Sequence, residues 1–561
     1  MVSYLFVMVG SVLQKIFEVS YNQRSAQWLV RLVGMVYLIA LLPFTFQIKG
    51  LMGSEGLLPA ANLLKTAFSQ EGWLAWLHFP SLFWLFPTDT MLLVLVLLGG
   101  VGALGMVLNV LPHISSLMAW VCFVSILTIG GDFTIIIIDV FLAEVGFLVV
   151  LTAFCFRYLG YLPYLIAFLL KLLLFRLWFS MGMVKFYHPG ESWVNFTFFH
   201  YFFPNQPMPT PLAWYFHKLP QAWFTFTIVV TFLVEMIVPF FVFGVRIFRF
   251  IALLSFTAIT LLIMLSGNYG YFNVLSIALS VVLLHDKDFG TRLSNQEPVP
   301  YRFDGGGVRW VVGRLVLVVG LFVGTMQMVY LIFLFTPQMH NPQNHLSYPF
   351  YFEGSKNLPR PVNWVNNIYR LGANFRLSSP YGVFKDMTRF RVELRFEGSR
   401  DGVIWLPYTF RYVPSGVSQK LRFFAPYYPR IDHLMYYETI GVGAYNANPL
   451  PPHYAPQNLL NPYYTKDNAW ICRFVEALHH QKKEVVSLLE KNPFADRSPA
   501  FIRVEVYALR FTTTAEKEVS GKWWMDKHLF TAYNKAEGSD CMPMVELQDL
   551  YSRYARGDFE F

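Results

Sequence analysis

The sequence predicts a multi-pass α-helical membrane domain of about nine spans, residues 1–336, followed by a β-rich or α+β soluble domain, residues 337–561. Three observations predict it. Of the 561 residues, 55% are hydrophobic and only 14% charged; a soluble globular chain carries about 25% charged residues, so this one cannot cover itself with a hydrated surface. Apolar stretches long enough to cross the hydrocarbon core of a bilayer recur through the first part of the chain. After Thr336 the composition shifts: Pro, Asn and Tyr become common from Pro337 to Pro361, and charged residues appear regularly.

In chain order, Val2–Leu13 is apolar but has neither a basic leader nor a clear cleavage site, which predicts an interfacial or short buried helix. Spans are expected at roughly 28–48, 91–111, 114–131, 134–156, 162–184, 222–244, 248–266, 268–285 and 312–336. The eighth is short, and Gly267–Asn273 at its start reads as a broken helix or tight turn. Gly72–Phe86, with Trp73, Trp76, His78 and Trp84, has the look of an aromatic interfacial helix. With the N-terminus inside, the inner loops and span ends hold Lys15, Arg24, Arg31, Arg157, Arg246, Arg249, Lys287, Arg292, Arg302 and Arg309. The outer loops of this part hold only Lys49, Lys65, Lys185 and Lys218. That asymmetry favours a cytoplasmic N-terminus, and an odd number of spans then makes the C-terminal domain extracytoplasmic. In the soluble part, Arg389–Phe396 and Trp405–Tyr412 alternate in polarity around Ser399-Arg400-Asp401-Gly402, a hairpin signal. Ile502–Phe511 is a third strand candidate. A helix is expected over Trp470–Leu489, capped by Asp467 or Asn468 and stopped by Asn492-Pro493.

Several function classes recede on this reading. The net charge of +9 is small for the length and contains no Lys/Arg run, which argues against a nucleic-acid partner. Gly100-Val-Gly102-Ala-Leu-Gly105 matches a dinucleotide fingerprint in letters only; it lies inside an apolar span, where small residues serve close helix packing. No cofactor and no metal is expected: zinc spacings are absent, and His200 and His217 lack a third ligand at useful spacing. Cys122 and Cys155 lie in apolar stretches, while Cys472 and Cys541 fall in the polar part, where one disulfide is possible.

Ionisable groups within apolar spans carry the most information, because each costs about 2.5–3.5 kcal/mol or more at mid-bilayer. They are Asp139 and Glu144, Lys171 and Arg176, and Glu235, with Lys185 at the end of a span. Opposite signs on neighbouring spans point to buried ion pairs as the favoured reading, with catalysis or transport as the others. Between Lys185 and Pro220 the chain is rich in His, Trp and Pro, a rigid outer-face loop. Within it, Asn195-Phe196-Thr197 is a glycosylation sequon that matters only in a eukaryotic host.

The chain resembles the lipase maturation factor family. The stretches that carry the resemblance are Asp139…Leu142-Ala143-Glu144-Val145-Gly146, Leu174-Phe175-Arg176-Leu177, Val184-Lys185 and Gln206-Pro207-Met208-Pro209-Thr210-Pro211-Leu212-Ala213-Trp214-Tyr215. They continue with Glu235…Pro239, Gly267-Asn268-Tyr269…Phe272-Asn273, Tyr381-Gly382-Val383-Phe384, Arg391…Glu393, Pro429-Arg430-Ile431-Asp432 and Gly521-Lys522-Trp523-Trp524. This chain has Phe202-Phe203-Pro204-Asn205 and His433 where the family tends to carry a His-Tyr-Glu-Thr-like step and Trp. The resemblance implies a non-enzymatic, membrane-anchored factor that helps exported proteins such as lipases fold and assemble, engaging the client through its C-terminal domain. Its family-motif residues here are Gln206, Pro207, Pro209, Trp214, Asn268, Asn273, Arg430, Asp432, Trp523 and Trp524. The home membrane would be the endoplasmic reticulum in a eukaryote or the inner membrane in a bacterium, with lipids as neighbours. The membrane half is also distantly similar to the vitamin K-dependent γ-carboxylase superfamily. That similarity implies the alternative, a membrane-embedded enzyme acting on a lipid, quinone or exported peptide through Asp139, Glu144, Arg176, Lys185 and Glu235. A transporter, suggested only by Gly267–Asn273, is a weaker third reading.

Overall fold

A computed structural model describes Ser20 and residues 22–134, 136–187, 191–289, 307–334, 372–379, 381–384, 387, 391–443 and 470–536. The expected helix Val2–Leu13, the Pro337–Pro361 stretch, the boundary at 336/337, the caps Asp467 and Asn468, and Cys541 lie outside the described residues.

Among the described residues, eight helices are long and apolar enough to cross a membrane. In chain order the longer helices described in this half are α1 (Gln23–Met52), α2 (Ala60–Glu71), α3 (Asp89–Leu108), α4 (Pro112–Ile129), α5 (Ile137–Phe154), α6 (Tyr164–Tyr187), α7 (Gln221–Phe232), α8 (Arg246–Ser266), α9 (Phe272–Ser280) and α10 (Val308–Leu334). α5 and α6 form the buried centre, whereas α7, α8 and α10 present much of their surface outward. The expected eighth span is the exception to the nine expected full-length helices. Its helical part is Phe272–Leu283, about 18 Å long at 1.5 Å per residue, against about 30 Å of hydrocarbon.

That short piece still joins opposite faces of the bundle. At one end Asn268 donates to the Arg422 carbonyl in the C-terminal half, at 2.9 Å. At the other, the Leu284 carbonyl accepts from Asn22, just before α1, at 2.8 Å. The irregular stretch between α8 and α9 satisfies its polar groups on protein, as backbone at membrane depth must. Asn268 N–H reaches Met208 O and Thr210 N–H reaches Ser266 O, both at 3.0 Å. Gly270 has φ 55°, and its missing side chain leaves room for the Tyr428 ring. Close approach also explains the fingerprint-like glycines: a Cβ on Gly102 would stand 2.7 Å from Ser115 O across α3 and α4.

The C-terminal half holds an antiparallel sheet of β1 (Arg391–Ser399), β2 (Trp405–Pro407), β3 (Phe501–Phe511) and β4 (Trp524–Ala536), in the order β2-β1-β3-β4. The hairpin turn forms where the sequence places it, although the second strand stops at Pro407 and does not run on to Tyr412. Asp401 accepts N–H bonds from Val403 and Ile404 at 2.8 and 2.9 Å, and Gly402 takes φ 73°. β4 and helix α11 (Arg430–Gly443) were not foreseen. The helix expected over Trp470–Leu489 ends early as α12 (Trp470–His479), because Gln481 adopts φ 50°, and only a turn, Lys483–Val486, follows. α13 (Thr514–Ser520) begins with a reciprocal cap between Thr513 and Glu516. Cys472 is disulfide-bonded, and Cys122 and Cys155 are free.

The two halves share one hydrophobic core. It runs from Leu29 and Phe44 in α1 through Phe141 in α5 to Tyr381, Phe396 and Trp470. Phe133, before α5, sets its ring edge-on to Trp470 at 5.7 Å.

Candidate functional site

The ionisable groups within the spans do not stand alone. Asp139, in the first turn of α5, meets Arg430 at the start of α11. Both guanidinium NH2 groups reach its oxygens at 2.7 Å, a forked pairing that fixes direction as well as charge. Tyr271 Oη also donates to Asp139, and Arg430 donates to Phe133 O at 2.7 Å. Asp139 and Arg430 are 0% and 1% exposed. The sequence leads to a partner for Asp139 on a neighbouring span; the actual partner lies far along the chain in the C-terminal half.

One turn deeper on α5, Glu144 takes Arg176 of α6 at 2.6 Å, as the opposite signs on these spans suggest. The C-terminal half closes this pair too. Ser379 N–H and Tyr381 Oη donate to the second Glu144 oxygen at 2.9 and 2.6 Å. Arg176 in turn donates to Ser378 Oγ and Ser379 O, both at 3.0 Å. The third pair, Lys185 on α6 and Glu235, is held at 2.6 and 2.8 Å. A π-helical turn, Leu233–Ile237, extends α7 and carries Glu235 inward. Glu144, Glu235 and Asp139 thus each have both oxygens occupied.

The family-motif positions form the rest of this junction. Gln206 accepts from Tyr269 Oη at 2.9 Å. The Gln206 and Pro207 carbonyls accept from Arg391 of β1, the latter at 2.9 Å. Arg391 is also paired with Glu393 at 2.5 Å, with both side chains fully buried; burial raises the Glu393 carboxyl above its usual range, against the pull of Arg391. Pro209 bridges to Gly267. Asn268 binds two ways: its oxygen accepts from Phe424 N–H and Ala425 N–H, at 2.9 and 3.0 Å. Asn273 is buried, and its amide nitrogen lacks a partner among the described residues. Trp214 donates to Thr512 O at 3.1 Å, Lys517 sits over the Trp523 ring, and Trp524 packs on Phe511 at 4.5 Å.

Asp432 and His433 follow Arg430 into the same buried layer. Asp432 accepts from Tyr412 and Val413 N–H, at 2.8 and 3.1 Å, yet burial pushes its pKa up to about 6. His433, 2.5 Å from Tyr428 Oη, is pushed down to about 3 by burial and by Arg430, so its ring is neutral at pH 7. Elsewhere, the His200 and His217 rings lie 6.5 Å apart and His200 binds Gln221. Among the described residues no three potential ligands gather around a metal site. Asn195 is exposed, two residues beyond Trp193, which donates to Phe384 O.

Arg391, Tyr271 and Gln47 belong to this junction although they are absent from the expected site. Gln47 accepts from Arg430 N–H at 2.9 Å and donates to Tyr428 O at 3.1 Å. Arg391 alone was within reach of sequence reasoning, because it stands with Glu393 among the stretches that carry the family resemblance.

This architecture defines a class: a polytopic helical membrane protein whose bundle grips a smaller sheet-containing half through buried ion pairs. Residues 24–291 match the lipase maturation factor transmembrane domain, and residues 377–455 and 457–533 match the lipase maturation factor C-terminal domain. The chain is 27% identical to lipase maturation factor 2 of Gallus gallus, over 88% of this chain and 78% of that one. It is 26% identical to lipase maturation factor 2 of Homo sapiens, over 88% and 80%. With lipase maturation factor 1 of Mus musculus the figures are 25%, over 93% and 88%. No solved structure matches the chain. The chain belongs to the lipase maturation factor family.

Proposed function

We propose that this protein assists the folding and assembly of exported lipases, with the C-terminal half meeting the client and the helical half serving as its rigid mount. The observation that carries the reading is the closure of the intramembrane charges. A general acid or base has to reach a substrate proton. Asp139 and Glu144 are fully buried, and each spends its oxygens on a cation together with groups that hold the two halves together. The relatives' names support a lipase as the client.

The test is co-expression of a secreted lipase with the wild-type chain and with Asp139→Asn, Glu144→Gln and Glu235→Gln. Secreted lipase activity is read beside the amount of folded chain in detergent. A mount predicts that activity tracks folded protein across the set. Isosteric variants that fold at wild-type yield yet give no active lipase would overturn this reading in favour of a membrane enzyme.

A further inference from the structure

Lys171, unlike the other ionisable groups noted inside the apolar spans, has no oppositely charged partner among the described residues. It sits on α6 about 10 Å from the helix start, near the face opposite the C-terminal half. There Lys171 Nζ lies 3.2 Å from His285 Nε2. Arg249 of α8 adds a second cation: its guanidinium donates to Leu283 O and stands 3.6 Å from Asp288. Arg246 adds a third, 2.8 Å from the other Asp288 oxygen. Asp288 also accepts from His285 N–H at 2.9 Å. The neighbouring carboxylate, Asp286, is turned to the N–H groups of Gln23 and Arg24 at 3.2 and 2.9 Å.

Two arginines therefore converge on a single carboxylate, Asp288, while Lys171 beside them meets the His285 ring and no acid. Arg249 is only 5% exposed, and its buried Nε–H has no partner among the described residues. The excess of positive charge is felt by His285, whose pKa falls to about 4 through burial and then through Lys171 and Arg249. Its neutral ring gives the lysine ammonium an acceptor but no counter-charge. Around the cluster stand outward-facing Ile247, Phe248 and Phe289, surfaces suited to acyl chains.

We infer that Lys171, Arg249 and Arg246 form a binding site for a phosphate group, in the first instance the headgroup of an anionic phospholipid in the leaflet opposite the C-terminal half. A phosphate oxygen supplies an acceptor for the Arg249 Nε–H and an anionic partner for Lys171, whose neighbour His285 carries no negative charge, and it balances the surplus charge. Basic pockets between spanning helices are a recurrent way to hold such headgroups. Phosphate from solution would offer the same chemistry, so the two sources need separate arms.

The full chain, purified and delipidated in an uncharged detergent, is titrated with phosphatidic acid, with phosphatidylcholine and with inorganic phosphate. Retained adducts are counted by native mass spectrometry and the melting temperature is followed. The expected result is one retained phosphatidic acid that raises the melting temperature. Loss of one charged hydrogen bond should weaken its binding roughly tenfold or more in Lys171→Gln. Arg246→Gln, at a side chain 69% exposed, should fold as wild type and bind more weakly, so it decides the matter if Lys171→Gln misfolds. A phosphate-only shift of the same size and the same Lys171 dependence assigns the site to the free anion and supports the shared chemistry. Equal retention by wild type and Arg246→Gln, or equal retention of phosphatidylcholine and phosphatidic acid, overturns the site.

Discussion

Arg430 is the residue on which the junction turns, because removing it leaves the fully buried Asp139 carboxylate without its cation, with Tyr271 Oη still donating to it. Breaking a buried pair from one side costs about 3–5 kcal/mol. Arg430→Met should therefore lose most folded protein in detergent, whereas Arg430→Met with Asp139→Leu should recover part of it. If the double variant melts no higher than the single ones, the pair is not coupled. The next two residues oppose each other in pH. Asp432 titrates near 6 in the fold and near 3.9 unfolded, so the native state holds the extra proton and stability falls as pH rises from about 4 to 6. His433 titrates near 3 in the fold and near 6.5 unfolded, so stability falls as pH drops from about 6.5 to 3. Each effect amounts to roughly 2–3 kcal/mol or more across its window, and they offset each other. Asp432→Asn should make melting markedly more acid-sensitive between pH 6.5 and 4.5, and His433→Gln should do the reverse. Identical pH slopes in both variants would count against this account. Asp139, Glu144, Arg176, Lys185 and Glu235 were all visible beforehand, since a charge in an apolar run announces itself. The Asp139 partner was not, because a sequence shows that a buried charge needs a counter-ion but not which distant Arg supplies it.

At the scale of elements, the sheet half depends on the bundle for two of its largest buried side chains. Arg391 spends its donors on the Pro204, Gln206 and Pro207 carbonyls, and Arg430 spends its own on Asp139 and Phe133. A fragment from residue 372 to 536 should keep its sheet yet melt well below the intact chain. Losing one such pair alone predicts a drop of roughly 10 °C or more. Equal melting temperatures would show that the junction adds nothing to the sheet half. Legibility followed periodicity and turn chemistry here. The spans and the Asp401-Gly402 hairpin stood out, whereas β4 did not: its Trp524–Ala536 mixes charge and aromatics, and two register irregularities against β3 blur any alternation. α11 was hidden for a related reason. Arg430, Asp432 and His433 are buried beside Ile431, Leu434 and Met435, so no contrast between an apolar and a polar face marks it.

For the whole molecule, Asn22 lies at one end of α1, and Gln47, which binds Tyr428 of the C-terminal half, lies near the other. Combined with the basic residues concentrated at the Asn22 end, this predicts that a reporter fused after Phe561 reads extracytoplasmic and one near residue 295 cytoplasmic. In a eukaryotic host, Asn195 should then lie on the lumenal side, and glycan trimming would shift the gel mobility of the chain. Matching signals from the two reporters would reverse this arrangement.

The short crossing before residue 285 also bears on biosynthesis. About 18 Å of helix is a poor substrate for a translocon that selects long apolar segments, so Phe272–Leu283 has little reason to partition into the membrane when it emerges. What holds it are earlier residues, with Asn22 gripping the Val282 and Leu284 carbonyls at 2.7 and 2.8 Å. Insertion of this segment is thus coupled to assembly of the preceding helices, and the start of α1 waits through most of the bundle's synthesis for its last ligand. Nascent chains stalled soon after Leu284 should carry this segment outside the bilayer. Asn22→Ala should then convert a fraction of full-length chains to a form with the segment still outside.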